Sequence, residues 1–220
     1  MTTLYPENLK CAVCGAEAKD TQIGSTNELG SPDLDTRPPE MRRSTMFAWV
    51  RRCPECGYCA SDIGQATAQA AALVRSTEYS RQLADATYPE LANRFLCKAL
   101  IEEQSEDLVA AAWSLIHPAW ACDDAQKDGP ARSCRSKVAD MVGTALDSGQ
   151  RITDQEAADI AIRVDLLRRA GRLDEASELI QRQRPYIGED IIPKILAFQE
   201  RLIERGDLSC HTIAEALVND

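Results

Sequence analysis

"RRCPECGYCASD", residues 51–62, decides how the chain folds, because it sets three cysteines at three-residue intervals and answers "KCAVCGAE" at residues 10–17. A Cys-x-x-Cys knuckle offers two sulfurs from one tight turn. Two such knuckles close the four-coordinate tetrahedral shell that Zn2+ takes in structural sites. Gly15 and Gly57 directly follow the two pairs. Without a Cβ each can take positive φ, so that backbone amides point at the thiolates. Between Cys14 and Cys53 lie 38 residues, a loop whose closure costs entropy only logarithmically, while a bound metal contributes folding energy to a module with few apolar residues. One structural Zn2+ on Cys11, Cys14, Cys53 and Cys56 is the expectation. Iron or an iron–sulfur centre uses the same ligands, and the sequence does not separate these metals.

Cys59 makes a second register conceivable, since Cys56 and Cys59 are themselves spaced as Cys-x-x-Cys. Cys53/Cys56 is preferred because Pro54 and Gly57 build the knuckle there and repeat the Cys-x-x-Cys-Gly form of the first pair. Cys59 is then placed outside the metal shell, either packed as a small apolar group or exposed as a reactive thiol beside Arg51 and Arg52. Cys97, Cys122, Cys134 and Cys210 are read as helix-face residues. His117 and His211, the two histidines, have no evident partners.

Nine cysteines, an odd number with four in paired knuckles, describe metal binding plus free thiols in a reducing compartment. The start of the chain lacks a basic region followed by an apolar one, and no apolar run has the length of a membrane span. A cytoplasmic protein with no membrane partner is expected. The net charge is −10. The first 60 residues hold 7 of the 25 basic and 8 of the 35 acidic side chains, so the surplus of acid lies in the remainder. Bulk nucleic-acid binding is disfavoured there, since a phosphate backbone needs a concentrated positive surface.

Two unequal parts follow: a metal module over residues 1–62 and a helical domain over 63–220. In the first part "GSTNELGSPDLDTRPPEM", residues 24–41, has the composition of a loop, and "MFAWV", residues 46–50, reads as a short strand. Thr87 to Glu90 has the form of a capping box that starts a helix, and a second helix is expected after Ser105, to be kinked or ended by Pro118. "DDAQKDGPARS", residues 123–133, breaks the pattern before helix resumes. In "TDQEAADIAIRVDLLRRAGRLDEASELIQRQ", residues 153–183, Thr153 and Glu156 form a capping box and Gly171 separates two helical periods. Further helices are expected over about 191–204 and after Thr212, capped by Glu215. The fold class is mainly α: a small four-cysteine zinc-ribbon-like module followed by a TPR-like antiparallel helical array. An ordinary helical bundle is the competing form, since one unit alone, 157–183, shows the repeat turn well.

"CAVCG", "SPDLDTRPP", "VRRCPECGYCASDIG" and "AAWSLIHPAWACDD", together with "KILAFQERLIERGD", resemble an uncharacterised bacterial family of zinc-ribbon proteins with TPR-like repeats, domain-of-unknown-function family 2225. The resemblance covers nearly the whole chain. It implies that Cys11, Cys14, Cys53 and Cys56 are the zinc ligands, and that Asp33, Asp35 and Arg37 are the marked part of the long loop. It carries no established activity. Read on their own, those two carboxylates and the guanidinium either clip the loop across the ribbon or present a polar ligand site.

A phosphate-binding glycine loop, a His-Glu-x-x-His helix and an ordered Ser/His/Asp set are not found, so the expected function is non-enzymatic. The chain reads as a zinc-binding adaptor or scaffold whose helices receive an unidentified protein or peptide, with Trp49, Trp113 and Trp120 as candidate anchors. One alternative is a metal-linked thiol redox sensor or enzyme using Cys59. Another is nucleic-acid binding through Arg37, Arg42, Arg43, Arg51 and Arg52 with Trp49 to stack, offset by neighbouring acids.

Overall fold

The computed structural model describes residues 1–104, 108–183 and 191–218. Three antiparallel strand pairs form the N-terminal part. β1 (Thr3–Lys10) pairs antiparallel with β2 (Glu17–Ser25), placing Lys10 opposite Glu17 and Leu9 opposite Ala18. The knuckle Cys11–Ala16 is the turn of this hairpin. Two residues each of β3 (Glu28–Leu29) and β4 (Glu40–Met41) pair at the neck of the long loop. β5 (Arg51–Arg52) and β6 (Cys59–Ala60) flank the second knuckle. Neither long strand of the first hairpin was legible as a strand, because most of its side chains are polar or exposed and lack the alternation that a half-buried strand imposes. The expected strand at 46–50 is corrected. Arg43–Ala48 winds as a 3₁₀ turn, in which Thr45 and Met46 are buried.

Nine helices are described: α1 (Ala68–Val74), α2 (Thr77–Leu83), α3 (Glu90–Glu103), α4 (Leu108–Asp124), α5 (Asp128–Asp147), α6 (Glu156–Ala170), α7 (Leu173–Gln183), α8 (Ile192–Glu204) and α9 (Ile213–Val218). Short connections make consecutive helices neighbours, so α4 packs on α3 and α5, α5 on α6, and α6 on α7 and α8. α1 and α2 begin at Thr67 and Ser76, whose side chains accept from the Ala70 and Tyr79 amides. Gly171, at φ 84°, ends α6, with its amide on the Arg168 carbonyl and that of Arg172 on the Leu167 carbonyl.

Several expected helix boundaries are corrected. α3 starts from Pro89 without a side-chain cap, and the Thr87 amide donates to Asp85 Oδ1 instead. α6 starts from Gln155, because the Thr153 amide and hydroxyl turn to Asp159, 2.8 and 2.5 Å away. Pro118 lies inside α4 without ending it. The break at 123–133 shrinks to three residues, with Pro130 in the first turn of α5, where its missing N–H costs nothing. Ser105 lies outside the described residues. The Thr212/Glu215 capping box is present in both directions: Thr212 N donates to Glu215 Oε2 and Glu215 N to Thr212 Oγ1.

One apolar core runs through both parts, from Leu9 and Cys11 through Cys53, Tyr58 and Ile63 to Phe95, Trp120, Val164 and Leu202. The change from hairpins to helices near residue 62 is therefore a change of element type with no gap in packing.

Candidate metal centre and its strap

The four knuckle cysteines converge. Their Sγ atoms all lie within 4.8 Å of one another, with Cys11 to Cys56 at 3.7 Å and Cys14 to Cys53 at 3.6 Å. A tetrahedral Zn2+ with Zn–S of about 2.3 Å has an S···S edge of about 3.8 Å, so these sulfurs are already spaced to hold the ion. Each knuckle closes in the same way: Gly15 N donates to Cys11 O at 2.8 Å and Gly57 N to Cys53 O at 3.0 Å. Both glycines adopt positive φ, 78° and 76°. A Cβ on Gly57 would lie 2.5 Å from Leu83 Cδ2, a side-chain end that can give way, so it is the positive φ that calls for glycine there.

Backbone amides are aimed at the sulfurs. Burial opposes ionisation of Cys53, but the amides of Cys56 and Glu55, aided by the Cys14 thiol, bring it down to about 7. Burial outweighs the corresponding amides of Cys14 and Val13 at Cys11 and holds its thiol up. Cys56 is raised too, by burial and by the other thiols of the cluster. Four thiols at this spacing cannot ionise together without a cation between them, and a divalent soft metal supplies it. The donor set is thus all-sulfur and closed, and fits zinc.

Cys59 is outside this set and has no exposed surface. Its amide donates to Tyr79 Oη at 2.8 Å, and that hydroxyl donates to Gly57 O at 3.1 Å, so Tyr79 of α2 buttresses the second knuckle. The Cys59 thiol neighbours that of Cys97 in α3. Cys122 and Cys134 form a second buried thiol pair between α4 and α5. Cys210 is corrected from a helix-face residue: it is exposed and lies ahead of α9.

The long loop acts as a strap laid onto the helices. Asp33 bridges antiparallel to Thr212, Leu34 N donates to His211 O and Ile213 N to Pro32 O, both at 2.9 Å. Asp35 has no exposed surface. Its Oδ2 accepts from Arg169 Nη1 at 2.7 Å, Trp120 Nε1 at 3.0 Å and Arg135 Nη2 at 3.2 Å. The same two arginines also hold Asp123, at 2.5 Å from Arg135 and 2.8 Å from Arg169, so two guanidiniums lie between two carboxylates. Burial alone would raise the Asp35 pKa, but Arg169 and Arg135, with the Trp120 indole, hold it below its ordinary value. Arg37 reaches Asp124 at 2.5 Å, and Asp33 takes Arg43 at 2.8 Å. Asp33, Asp35 and Arg37 are therefore each engaged, chiefly with α4, α5, α6 and the C-terminal segment.

The helix partners of this network were not singled out from the sequence. A usable signal existed in "RVDLLRRAG", residues 163–171, where charges interrupt an apolar helical face. Arg168, fully buried, pairs with Asp165 and donates to the carbonyls of Asp207 and Ser209. The two histidines acquire neighbours. His211 Nε2 meets Asp207 at 3.0 Å and Ser209 Oγ at 3.3 Å, and Nδ1 meets Glu215 at 3.5 Å. Ser209 donates through both its amide and its hydroxyl to Asp207 Oδ1, and Glu215 caps α9, so these groups build the turn into the last helix. His117 packs among Trp49, Phe95 and Trp120.

All five arginines proposed for nucleic acid are paired: Arg37 and Arg43 as above, Arg42 with Glu28 at 2.5 Å, Arg51 with Glu7 at 2.7 Å, and Arg52 with Glu90 at 3.5 Å. No helix among the described residues is long and apolar enough to cross a membrane. Comparisons of the chain with family models, with curated proteins and with solved structures find no match. The likeness to domain-of-unknown-function family 2225 rests on the quoted residues alone.

Proposed function

We propose that the chain is a non-enzymatic adaptor or scaffold, in which one structural Zn2+ holds a zinc-ribbon-like module and a TPR-like helical array presents a protein- or peptide-binding surface. The observation that carries this reading is the closed four-sulfur cluster: its geometry leaves no coordination position for a substrate, as catalytic zinc sites do. The strap supports the scaffold role, because a buried ion network joins the long loop to the helices. In this reading Asp33, Asp35 and Arg37 clip the loop and do not form a ligand site, since all three spend their charges on protein partners. The family resemblance, the zinc-ribbon and TPR-like names and a cytoplasmic setting belong to the same proposal.

The alternatives have less to rest on. A thiol switch at Cys59 would have to act on a sulfur with no surface, and nucleic-acid binding would have to break five ion pairs. Elemental analysis of protein purified without added metal is expected to give one zinc per chain. Native co-purification is expected to retrieve a stoichiometric protein partner. Iron in place of zinc would overturn the metal assignment, and a chain that purifies alone from every native lysate would overturn the adaptor role.

A further inference from the structure

Between the strap, the end of the 3₁₀ turn and α4 lies a pocket of about 320 Å3, at the small end of ligand-binding cavities. Its walls include Trp49, Trp113, Trp120 and His117, with strap prolines and Thr36 beside them and Glu28 and Arg42 among the lining groups. The rings stand steeply to one another: Trp49 to Trp120 at 81° with centroids 6.5 Å apart, Trp49 to His117 at 71° and 5.4 Å, and His117 to Trp120 at 61° and 5.1 Å. They form a corner and not a stack.

Every indole N–H is already used. Trp49 donates to Thr45 Oγ1 at 3.0 Å, Trp113 to Ile152 O at 3.2 Å and Trp120 to the Asp35 carboxylate at 3.0 Å. Trp49 and Trp113, half-buried, leave ring surface for an occupant, while Trp120 is 2% exposed and stands behind them. Burial, with the nearby Lys98 charge, lowers the His117 pKa to about 3, so its imidazole is a neutral wall at physiological pH. Arg42 is paired with Glu28. The net charge of −10 draws cations toward the molecule at long range.

Two polar atoms of residues that line the pocket have no partner and almost no surface: Thr36 Oγ1 and His117 Nδ1. Thr36 is also held at φ 69°, a conformation a β-branched residue rarely adopts and one that concentrates at ligand-binding sites. A lysine ammonium or a guanidinium seated here would bury several N–H donors against these two atoms. A quaternary ammonium has no N–H to satisfy and is attracted by the faces of tryptophan rings.

We infer that this pocket binds an alkylated ammonium cation, of the kind carried by choline and by trimethyllysine, against the rings of the half-buried Trp49 and Trp113, with the buried Trp120 backing them. The inference stands apart from the metal and the adaptor reading, since it needs neither a protein partner nor an occupied thiolate site.

Titration of the full-length, metal-loaded chain with choline, with trimethyllysine blocked at both ends, and with the neutral tert-butyl isostere of choline tests it, at matched ionic strength, by calorimetry and tryptophan fluorescence. Saturable binding of at least one cation is expected, with the isostere at least about tenfold weaker, since it keeps the shape and loses the charge. The tighter of the two cations identifies the source as a free small molecule or a modified side chain. Trp113→Leu and Trp49→Leu, both at half-buried positions, are each expected to weaken that binding by about tenfold or more, with the melting temperature and metal content checked in parallel. Equal binding of the isostere overturns the inference. So does the absence of saturable binding by both cations at millimolar concentration, a result read on the wild-type chain whether or not the variants fold.

Discussion

At the scale of single residues, the metal register and the buried histidine make separate predictions. Cys53 contributes one of four converging sulfurs and Cys59 contributes none, so Cys53→Ser is expected to lose the metal and Cys59→Ser to keep one equivalent by elemental analysis. Metal retained in the first variant or lost from the second would return Cys56/Cys59 as the ligand pair. His117 titrates near 3 when folded, against 6.5 for an ordinary imidazole. As pH falls below about 6.5 the unfolded chain takes up a proton that the folded one refuses, so its contribution to stability is complete above that value and declines toward pH 3. His117→Phe removes this term. The stability difference between wild type and variant, from denaturant unfolding, is expected to shift against the wild type between about pH 7.5 and pH 5. The slope stays below the limit of about 1.4 kcal/mol per pH unit set by one proton, since the ring keeps some surface. Parallel pH curves would show that His117 is not held neutral by the fold.

At the scale of elements, the strap depends on Asp35. Asp35→Ala leaves Arg135 and Arg169, both buried, sharing only the partly exposed Asp123. Removing one partner from a buried charged group typically costs about 3–5 kcal/mol, and a loss of that size in denaturant unfolding is expected. A cost below about 1 kcal/mol, the range of surface pairs, would mean that the network does not fasten the strap. The sequence made parts of this scale legible for definite reasons. The knuckles show themselves because metal geometry demands fixed spacing and a following glycine. The α6–α7 turn shows itself because Gly171 must take positive φ between two periodic faces. The strap's anchor did not, since Asp35 is 134 residues from Arg169, and such long-range pairing leaves no local pattern. The capping boxes at Thr87 and Thr153 failed because nearby carboxylates, Asp85 and Asp159, outcompeted the helix N-termini for those residues. α1 and α2 carry valid caps, but they are only seven residues each, too short for periodicity to stand out.

At the scale of the whole molecule, the metal module and the helices share one core, yet they are fastened by different forces. The hairpins are closed by four sulfurs and have few buried apolar side chains of their own, Leu9 among them. The strap, which lies between the two knuckles in sequence, is held instead by α4, α5, α6 and the segment before α9. Metal removal should therefore divide the N-terminal part along these attachments and not along the chain. After chelation under reducing conditions, hydrogen exchange is expected to accelerate at residues 9–16 and 53–60, where the knuckle amides lose the sulfur cage that orders them. Protection is expected to persist in α4, α5 and α6, whose packing against one another involves no ligand. The deciding amides belong to the strap: Asp33, bonded to Arg37 O, and Leu34, bonded to His211 O. If they stay protected while both knuckles open, the ion network fixes the loop to the helices independently of the metal. If they open together with the knuckles, the sulfur cluster is what holds the strap in place, and the Asp35 network forms only after the metal has brought the two hairpins together.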